Sequence, residues 1–165
     1  MVPFIFLAVV FAGLSVFSLA RIGPTALRSV RTRLQLALAA MFVLTGSTHF
    51  TATESMLQMI PDFLPLRREA VYLSGLAELA GAVGLLIPWL RRLAGLGLAA
   101  MLIAVFPANI NVALNNLQID LVSTDPVLQW ARLLLQPVLI WLVLWASYRE
   151  RQAASVQIAA AAAHA

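Results

Sequence analysis

Three side chains that can carry charge or exchange a proton lie inside or at the end of long apolar stretches of this chain. Glu78 and Arg132 are each surrounded by apolar residues, and His49 closes another apolar run. An ionisable group inside a membrane span costs roughly 2.5–3.5 kcal/mol on insertion scales, so such groups are usually paired or functional. His49 and Glu78 are therefore the candidate proton donor and acceptor, that is, the candidate catalytic pair.

Amide side chains accompany these three residues. Asn109 and Asn111 follow Pro107, and Gln136 lies one helical turn after Arg132. The candidate ligand-binding set combines ionisable and amide side chains of these stretches: His49, Glu78, Asn109, Asn111, Arg132 and Gln136.

The composition excludes several other kinds of site. The 165 residues are 62% hydrophobic and only 11% charged, against about a quarter charged in soluble domains. The net charge of +4 comes from small Arg clusters between apolar runs, a pattern that does not indicate nucleic-acid binding. Because there is no Cys, and His49 is the one His in the apolar region, we expect no metal site and no covalently bound cofactor.

Long apolar runs predict an all-α membrane protein, a bundle of five transmembrane helices, since about 17–25 apolar residues span a bilayer as helix. The first run lacks the charged start of a signal peptide, so we expect a retained helix. The second is short and is expected to extend beyond Phe50. The predicted spans are Val2–Ala20, Leu34–Phe50, Ala70–Leu90, Leu93–Leu114 and Val127–Ser147.

The Arg residues predict how the bundle is oriented in a bacterial cytoplasmic membrane. Eight of them lie in the first loop, the third connection and the tail, whereas the second loop has two and the fourth none. The positive-inside rule then places the N-terminus outside and the C-terminus in the cytoplasm. The eight are Arg21, Arg28, Arg31, Arg33, Arg91, Arg92, Arg149 and Arg151; the two are Arg67 and Arg68.

The connections carry local signals. Asp125-Pro126 predicts a helix N-cap followed by proline in the first turn. The short Arg91–Arg92 turn makes helices three and four antiparallel neighbours. The second loop, Thr51–Glu69, contains Met59-Ile60-Pro61 and is expected to lie against the membrane surface. The Ala-rich end, Ala159–Ala163, is expected to be frayed.

This topology places the polar groups in the same leaflet. At 1.5 Å per residue, Glu78 lies about 12 Å, and Arg132 and Asn109 each about 8 Å, below the outer ends of their helices. Pro107 is expected to free the carbonyl of Ile103 and to kink the fourth helix. Asn109 and Asn111 point in opposite directions on a regular helix, and the sequence leaves open which of them faces the interior.

Helical spacing indicates which side chains share a face. Glu78 shares its face with small residues such as Gly75 and Gly81, which mark the side where another helix approaches closely. Gln129, Arg132 and Gln136 share one face of the fifth helix, and Thr45, Gly46 and His49 share one face of the second. Two interpretations follow: a buried Glu78–Arg132 ion pair that holds the helices in register, or a ligand site that opens to the outer leaflet.

Several motifs resemble those of the DoxX-like membrane proteins. The resemblance spans about residues 34–147 and places His49, Glu78, Asn109, Arg132 and Gln136 on motif positions. Where relatives often have proline shortly after the arginine, this chain has Leu133 and Leu134. The matching stretches are Gly46–Phe50, Met59–Pro65, Ser74–Glu78, Gly81–Pro88, Arg91–Ala94, Ala104–Ile110 and Arg132–Pro137.

The resemblance implies a division of the chain and a range of functions. Residues 34–147 would form a four-helix DoxX-like membrane domain, preceded by a helix and an Arg-rich loop in 1–33 and followed by a cytoplasmic tail in 148–165. The family takes its name from a subunit of a membrane thiosulfate–quinone oxidoreductase, and some members work beside redox or detoxification enzymes. The core is also similar in architecture to sterol-isomerase and sterol-binding membrane domains, which is an analogy of fold alone.

Three hypotheses therefore stand. The first is an accessory subunit that binds a quinone or lipid-like molecule within the bilayer and supports a redox-enzyme partner, since the chain has no ligands for an electron-carrying centre of its own. The second is an intramembrane acid–base enzyme, such as an isomerase, in which Glu78 shuttles a proton and Arg132 or His49 sets its pKa. The third, a small transporter, lacks the inverted repeat that would support it. The sequence does not decide whether the chain is an enzyme.

Overall fold

A computed structural model describes residues 2–20, 24–61, 64–117, 119 and 125–148, which are helical with no strand among them. Five segments are long and apolar enough to cross a membrane, as the sequence predicts. They are α1 (Val2–Leu19), α2 (Val30–Thr51), α4 (Arg67–Leu86), α5 with α6 (Arg91–Ala104 and Phe106–Asn115) and α7 (Pro126–Ser147). A 3-10 turn (Thr25–Arg28) precedes α2, and the short α3 (Thr53–Leu57) follows it.

Helix α2 is the centre of the bundle, because it packs against α1, α4 and α7. Its buried face carries Leu38, Met41 and Phe42, which meet Leu85 of α4 and Val143 of α7 in one apolar core. Helix α5 packs between α4 and α7, and the antiparallel α4–α5 neighbours predicted from the Arg91–Arg92 turn are confirmed. Helix α1 packs mainly against α2 and buries only one residue in the described part of the chain.

Two of the predicted helix boundaries are wrong in ways that matter for the site. Helix α2 begins at Val30, about one turn before the predicted start at Leu34. It ends at Thr51, so the extra turn lies at its start and not beyond Phe50. The predicted fourth helix is divided at Val105 into α5 and α6, because Pro107 has no N–H to continue the helical ladder. The predicted cap is confirmed, since the Asp125 carboxylate accepts a hydrogen bond from the Val127 N–H at 2.9 Å.

Arg residues from two connections meet at one end of the bundle. Arg31, near the start of α2, lies 5.0 Å from the ring centroid of Trp145, near the end of α7. Arg92, at the start of α5, lies 5.2 Å from the ring of Tyr148. We call this the Arg-rich end. At the opposite end, Arg68 pairs with Glu54 at 2.5 Å.

Part of the loop between α2 and α4 folds onto the bundle. Met59 is buried and packs with Val112 and Ile119. The Asn111 amide, from α6, donates to the Met59 carbonyl at 3.0 Å. The predictions for Arg21, Asp62, Phe63, Arg149, Arg151, Ala159–Ala163 and His164 fall outside the described residues.

Candidate functional site

Two glycines bring the backbones of α2 and α4 into contact. A Cβ atom on Gly75 would lie 2.5 Å from His49 Cβ, and one on Gly46 would lie 3.1 Å from the Gly75 carbonyl oxygen. No side chain fits between the helices at these positions, as expected for small residues at helix interfaces. The close approach places His49 and Thr45 of α2 directly against Glu78 of α4.

Glu78 is buried, with 7% of the residue exposed, and both of its carboxylate oxygens have partners. The Thr45 hydroxyl bonds Oε2. The other oxygen, Oε1, lies 3.4 Å from Nε2 of His49. Since an unpaired buried charge is costly, these two polar neighbours explain how the bundle accommodates a carboxylate.

The other nitrogen of His49 fixes how its protons are placed. Nδ1 lies 2.9 Å from the carbonyl oxygen of Val71, which can only accept a hydrogen bond, so Nδ1 carries a proton and donates it. The Ser74 hydroxyl, 3.1 Å from Nδ1, has its own carbonyl acceptors at 2.9 Å in Ala70 and Val71. Nε2, the remaining ring nitrogen, therefore faces Oε1 of Glu78.

This arrangement allows two protonation states with the same geometry. The pair can be an imidazolium and a carboxylate, or a neutral imidazole and a carboxylic acid. Thr45 fits both states, because its hydroxyl donates to Oε2, which accepts whether the proton lies on Nε2 or on Oε1. We call Thr45, His49, Ser74 and Glu78 the proton pair cluster.

A second group of polar side chains joins the α5–α6 break to α7. Arg132 donates from Nη2 to Asn109 Oδ1 at 2.9 Å, and the Asn109 amide donates to Gln136 Oε1 at 2.7 Å. Gln136 in turn donates to the Leu102 carbonyl at 2.6 Å. We call Asn109, Arg132 and Gln136 the amide chain. Arg132 contacts the neutral Asn109, and no described carboxylate pairs with it.

The structure does not form the Glu78–Arg132 ion pair that one interpretation of the sequence required. Glu78 contacts Thr45 and His49, whereas Arg132 contacts Asn109. The reason is the packing order, since α4 packs on α2 and α5 while α7 packs on α2, α5 and α6.

The six candidate residues are thus distributed over three places in the fold. His49 and Glu78 come together, as do Asn109, Arg132 and Gln136. Asn111 instead donates a hydrogen bond to the Met59 carbonyl. Both asparagines therefore have partners, and Asn109 is the one that faces α7.

Two further side-chain hydrogen bonds lie near the helix break and in α7. The carbonyl that Gln136 bonds belongs to Leu102, one residue before Ile103, whose carbonyl the sequence predicted to be freed. Gln129 is buried and donates to the Leu117 carbonyl at 3.3 Å.

Thr45 and Ser74 are the members of the proton pair cluster absent from the candidate set. Thr45 precedes His49 by four residues, and Ser74 precedes Glu78 by four. Residues four apart are neighbours on a helix, so this doubled spacing was a signal that could have identified both hydroxyls.

A polar groove of about 430 Å³ begins one residue beyond His49. Its walls include Phe50, Thr53, Glu54, Arg68 and Tyr72, and the rings of Phe50 and Tyr72 stack with centroids 5.8 Å apart. The Thr53 hydroxyl donates to the His49 carbonyl at 2.7 Å, which ties this groove to the proton pair cluster. Among the described residues, no three His, Cys, Asp or Glu side chains lie close enough together to hold a metal ion.

The fold and the site together define a small helical bundle with a buried His–Glu pair. Residues 38–148, about two thirds of the chain, match the family described as Domain of unknown function (DUF8561). The chain therefore belongs to this family. The match begins inside α2 and ends directly after α7, so it includes both polar clusters and leaves α1 outside. No curated protein and no solved structure matches the chain.

Proposed function

We propose that the chain is a multi-pass protein of the bacterial cytoplasmic membrane with its N-terminus outside and its C-terminus in the cytoplasm. Five apolar segments of membrane-spanning length support this proposal. Large apolar side chains such as Leu73, Leu93 and Leu134 are each more than 60% exposed on the outer faces of their helices, as lipid-facing residues are. The Arg-rich end would then face the cytoplasm.

We propose that it binds a quinone or another lipid-like molecule at the proton pair cluster, as an accessory subunit that supports a redox or detoxification partner. One observation carries this proposal: inside an apolar bundle, Nε2 of His49 lies 3.4 Å from Oε1 of Glu78, where the two groups would share a proton. The carbonyl or hydroxyl oxygens of a lipid-soluble ligand need such a donor or acceptor in a water-poor place. The resemblance of residues 34–147 to DoxX-like proteins points to the same class of ligand.

The polar groove supplies an approach to this pair. It lies next to His49 and combines an aromatic pair, Phe50 and Tyr72, with polar side chains. A planar ring fits beside aromatic faces, and its oxygens would compete with Glu78 for Nε2 of His49.

The test is mass spectrometry of the small molecules retained by the purified protein in nanodiscs. Wild type, Glu78→Gln and the control Glu69→Gln would be compared; Glu69 is an exposed carboxylate in the first turn of α4, outside the lining of the polar groove. We expect a quinone or another isoprenoid to be enriched by wild type and Glu69→Gln and lost by Glu78→Gln. Equal retention of bulk lipid alone by all three would contradict the proposal.

An intramembrane acid–base enzyme is the alternative function, and the two protonation states of the pair favour it. Glu78 can gain or lose the proton on Oε1 while Thr45 keeps its bond to Oε2, so the geometry need not change, as a general acid–base requires. This alternative predicts turnover of a lipid-soluble substrate, measured as solvent deuterium incorporated into the compound, that Glu78→Gln abolishes while binding persists.

A further inference from the structure

An apolar groove of about 640 Å³ runs along α2 between α1 and α4. Its floor on α2 includes Leu36, Ala40, Val43 and Ser47. Eleven residues of helix separate the first and last of these, about 16 Å at 1.5 Å per residue. This length is close to half of the roughly 30 Å hydrocarbon core, the depth of one leaflet. The groove therefore has the length and the apolar lining of a site for one acyl chain.

Arg33 lies on the same face of α2, at the Arg-rich end of this groove. It precedes Leu36 by three residues and Ala40 by seven, the spacing of one helical face. Its guanidinium carbon lies 5.8 Å from the ring centroid of Phe11 in α1, and α1 also contributes Phe6 to the groove. The same two helices thus border both the groove and the guanidinium.

The hydrogen-bonding capacity of Arg33 is unused within the described part of the chain. Its Nε atom is buried and has no acceptor there. The neighbouring Arg31 and Arg92 lie over the rings of Trp145 and Tyr148, as Arg33 lies over that of Phe11. A guanidinium presents a planar fork of donors that matches the oxygens of a phosphate, and basic pockets between helices on the cytoplasmic side bind anionic head groups.

We propose that Arg33 and the apolar groove form a binding site for one anionic phospholipid, with its phosphate on Arg33 and one acyl chain between α1, α2 and α4. The charge selects the head group, and the groove selects a lipid over a free phosphate. This inference depends on the proposed membrane location but not on the ligand proposed for the proton pair cluster, which lies toward the other end of α2.

Native mass spectrometry of the detergent-purified full chain tests the proposal. The probe is an equal mixture of phosphatidylglycerol and phosphatidylcholine with identical acyl chains, and retained lipids are counted on each variant. Wild type should retain phosphatidylglycerol over phosphatidylcholine by roughly fivefold or more. Arg33→Gln should abolish the preference, whereas Arg28→Gln, an exposed arginine at the same end, should keep it.

A second variant addresses the acyl-chain half of the site. Ala40→Phe fills the groove and should lower retention of both lipids while Arg33 is intact. Arg33→Lys keeps the charge, and should keep most of the preference if Arg33→Gln is too unstable to be measured. Equal retention of the two lipids by wild type, or a loss as large in Arg28→Gln as in Arg33→Gln, would overturn the proposal. Glu78→Gln should keep the preference, so this test and the quinone test can fail separately.

Discussion

The substitution Gly75→Ala tests the helix contact on which the site depends. The new methyl group would lie 2.5 Å from His49 Cβ and 3.0 Å from a ring carbon of Phe50, whereas carbon atoms pack at about 3.5–4.0 Å. The first atom is the root of its side chain and cannot rotate away, so α2 and α4 must separate by about 1 Å. Overpacking of this kind costs about 1–3 kcal/mol. The same movement lengthens the 3.4 Å distance between His49 Nε2 and Glu78 Oε1.

Gly97→Ala is the matched control, because a Cβ atom on Gly97 meets no atom within 4 Å. Alanine is also the better helix former by about 1 kcal/mol, so this variant should be as stable as wild type or slightly more stable. The assay is reversible unfolding in mixed micelles, with the free energy of unfolding taken from the dependence on denaturing detergent. If Gly75→Ala and Gly97→Ala have the same free energy of unfolding, α2 and α4 do not approach each other as closely as described here.

Three further predictions concern the surroundings of the site. Gln136→Leu removes the donor to the Leu102 carbonyl and should lower the free energy of unfolding by about 1–3 kcal/mol; an unchanged value would contradict the amide chain. Asp125→Ala removes the cap of α7 and should cost about 0.5–2 kcal/mol in the same assay, whereas Asp125→Asn should cost less; equal losses would argue against a capping role. Asn111→Ala releases the Met59 carbonyl and should speed hydrogen–deuterium exchange in residues 56–60 while α2 is unaffected; unchanged exchange there would show that the loop is held by packing alone.

The sequence predicted the helices better than their contacts. Long apolar runs are almost sufficient to predict the five spans, because the backbone N–H and C=O groups of a chain in lipid must form hydrogen bonds within their own helix. The Asp125 cap could be predicted as well, because it is a local sequence signal. The start of α2 at Val30 was missed because its first turn carries Arg31 and Arg33, which end an apolar run but are accommodated on Trp145 and Phe11. The division of the fourth span at Val105 was anticipated only as a kink.

The pairing of the polar side chains could not be predicted from the same information. Charge alone favours an ion pair between Glu78 and Arg132. The partner of Glu78 depends, however, on which helix packs beside α4 at this position, and that helix is α2. Glycine at two positions allows that contact, so Glu78 meets His49 instead. The membrane depth predicted for each polar group depends on the proposed topology. Its hydrogen-bond partner depends on which helices pack together, and the periodicity of a single helix does not contain that information.

Nitrogen NMR of His49 tests most directly the central claim, that this residue and Glu78 hold one proton between them. The chain has two histidines, so a sample labelled with ¹⁵N at histidine and carrying His164→Ala reports His49 alone. We predict that Nδ1 is protonated, as its bond to the Val71 carbonyl requires, and that Glu78→Gln changes the Nε2 signal while Nδ1 keeps its proton. A neutral ring with its proton on Nε2 and a bare Nδ1, or an Nε2 signal indifferent to Glu78→Gln, would contradict it.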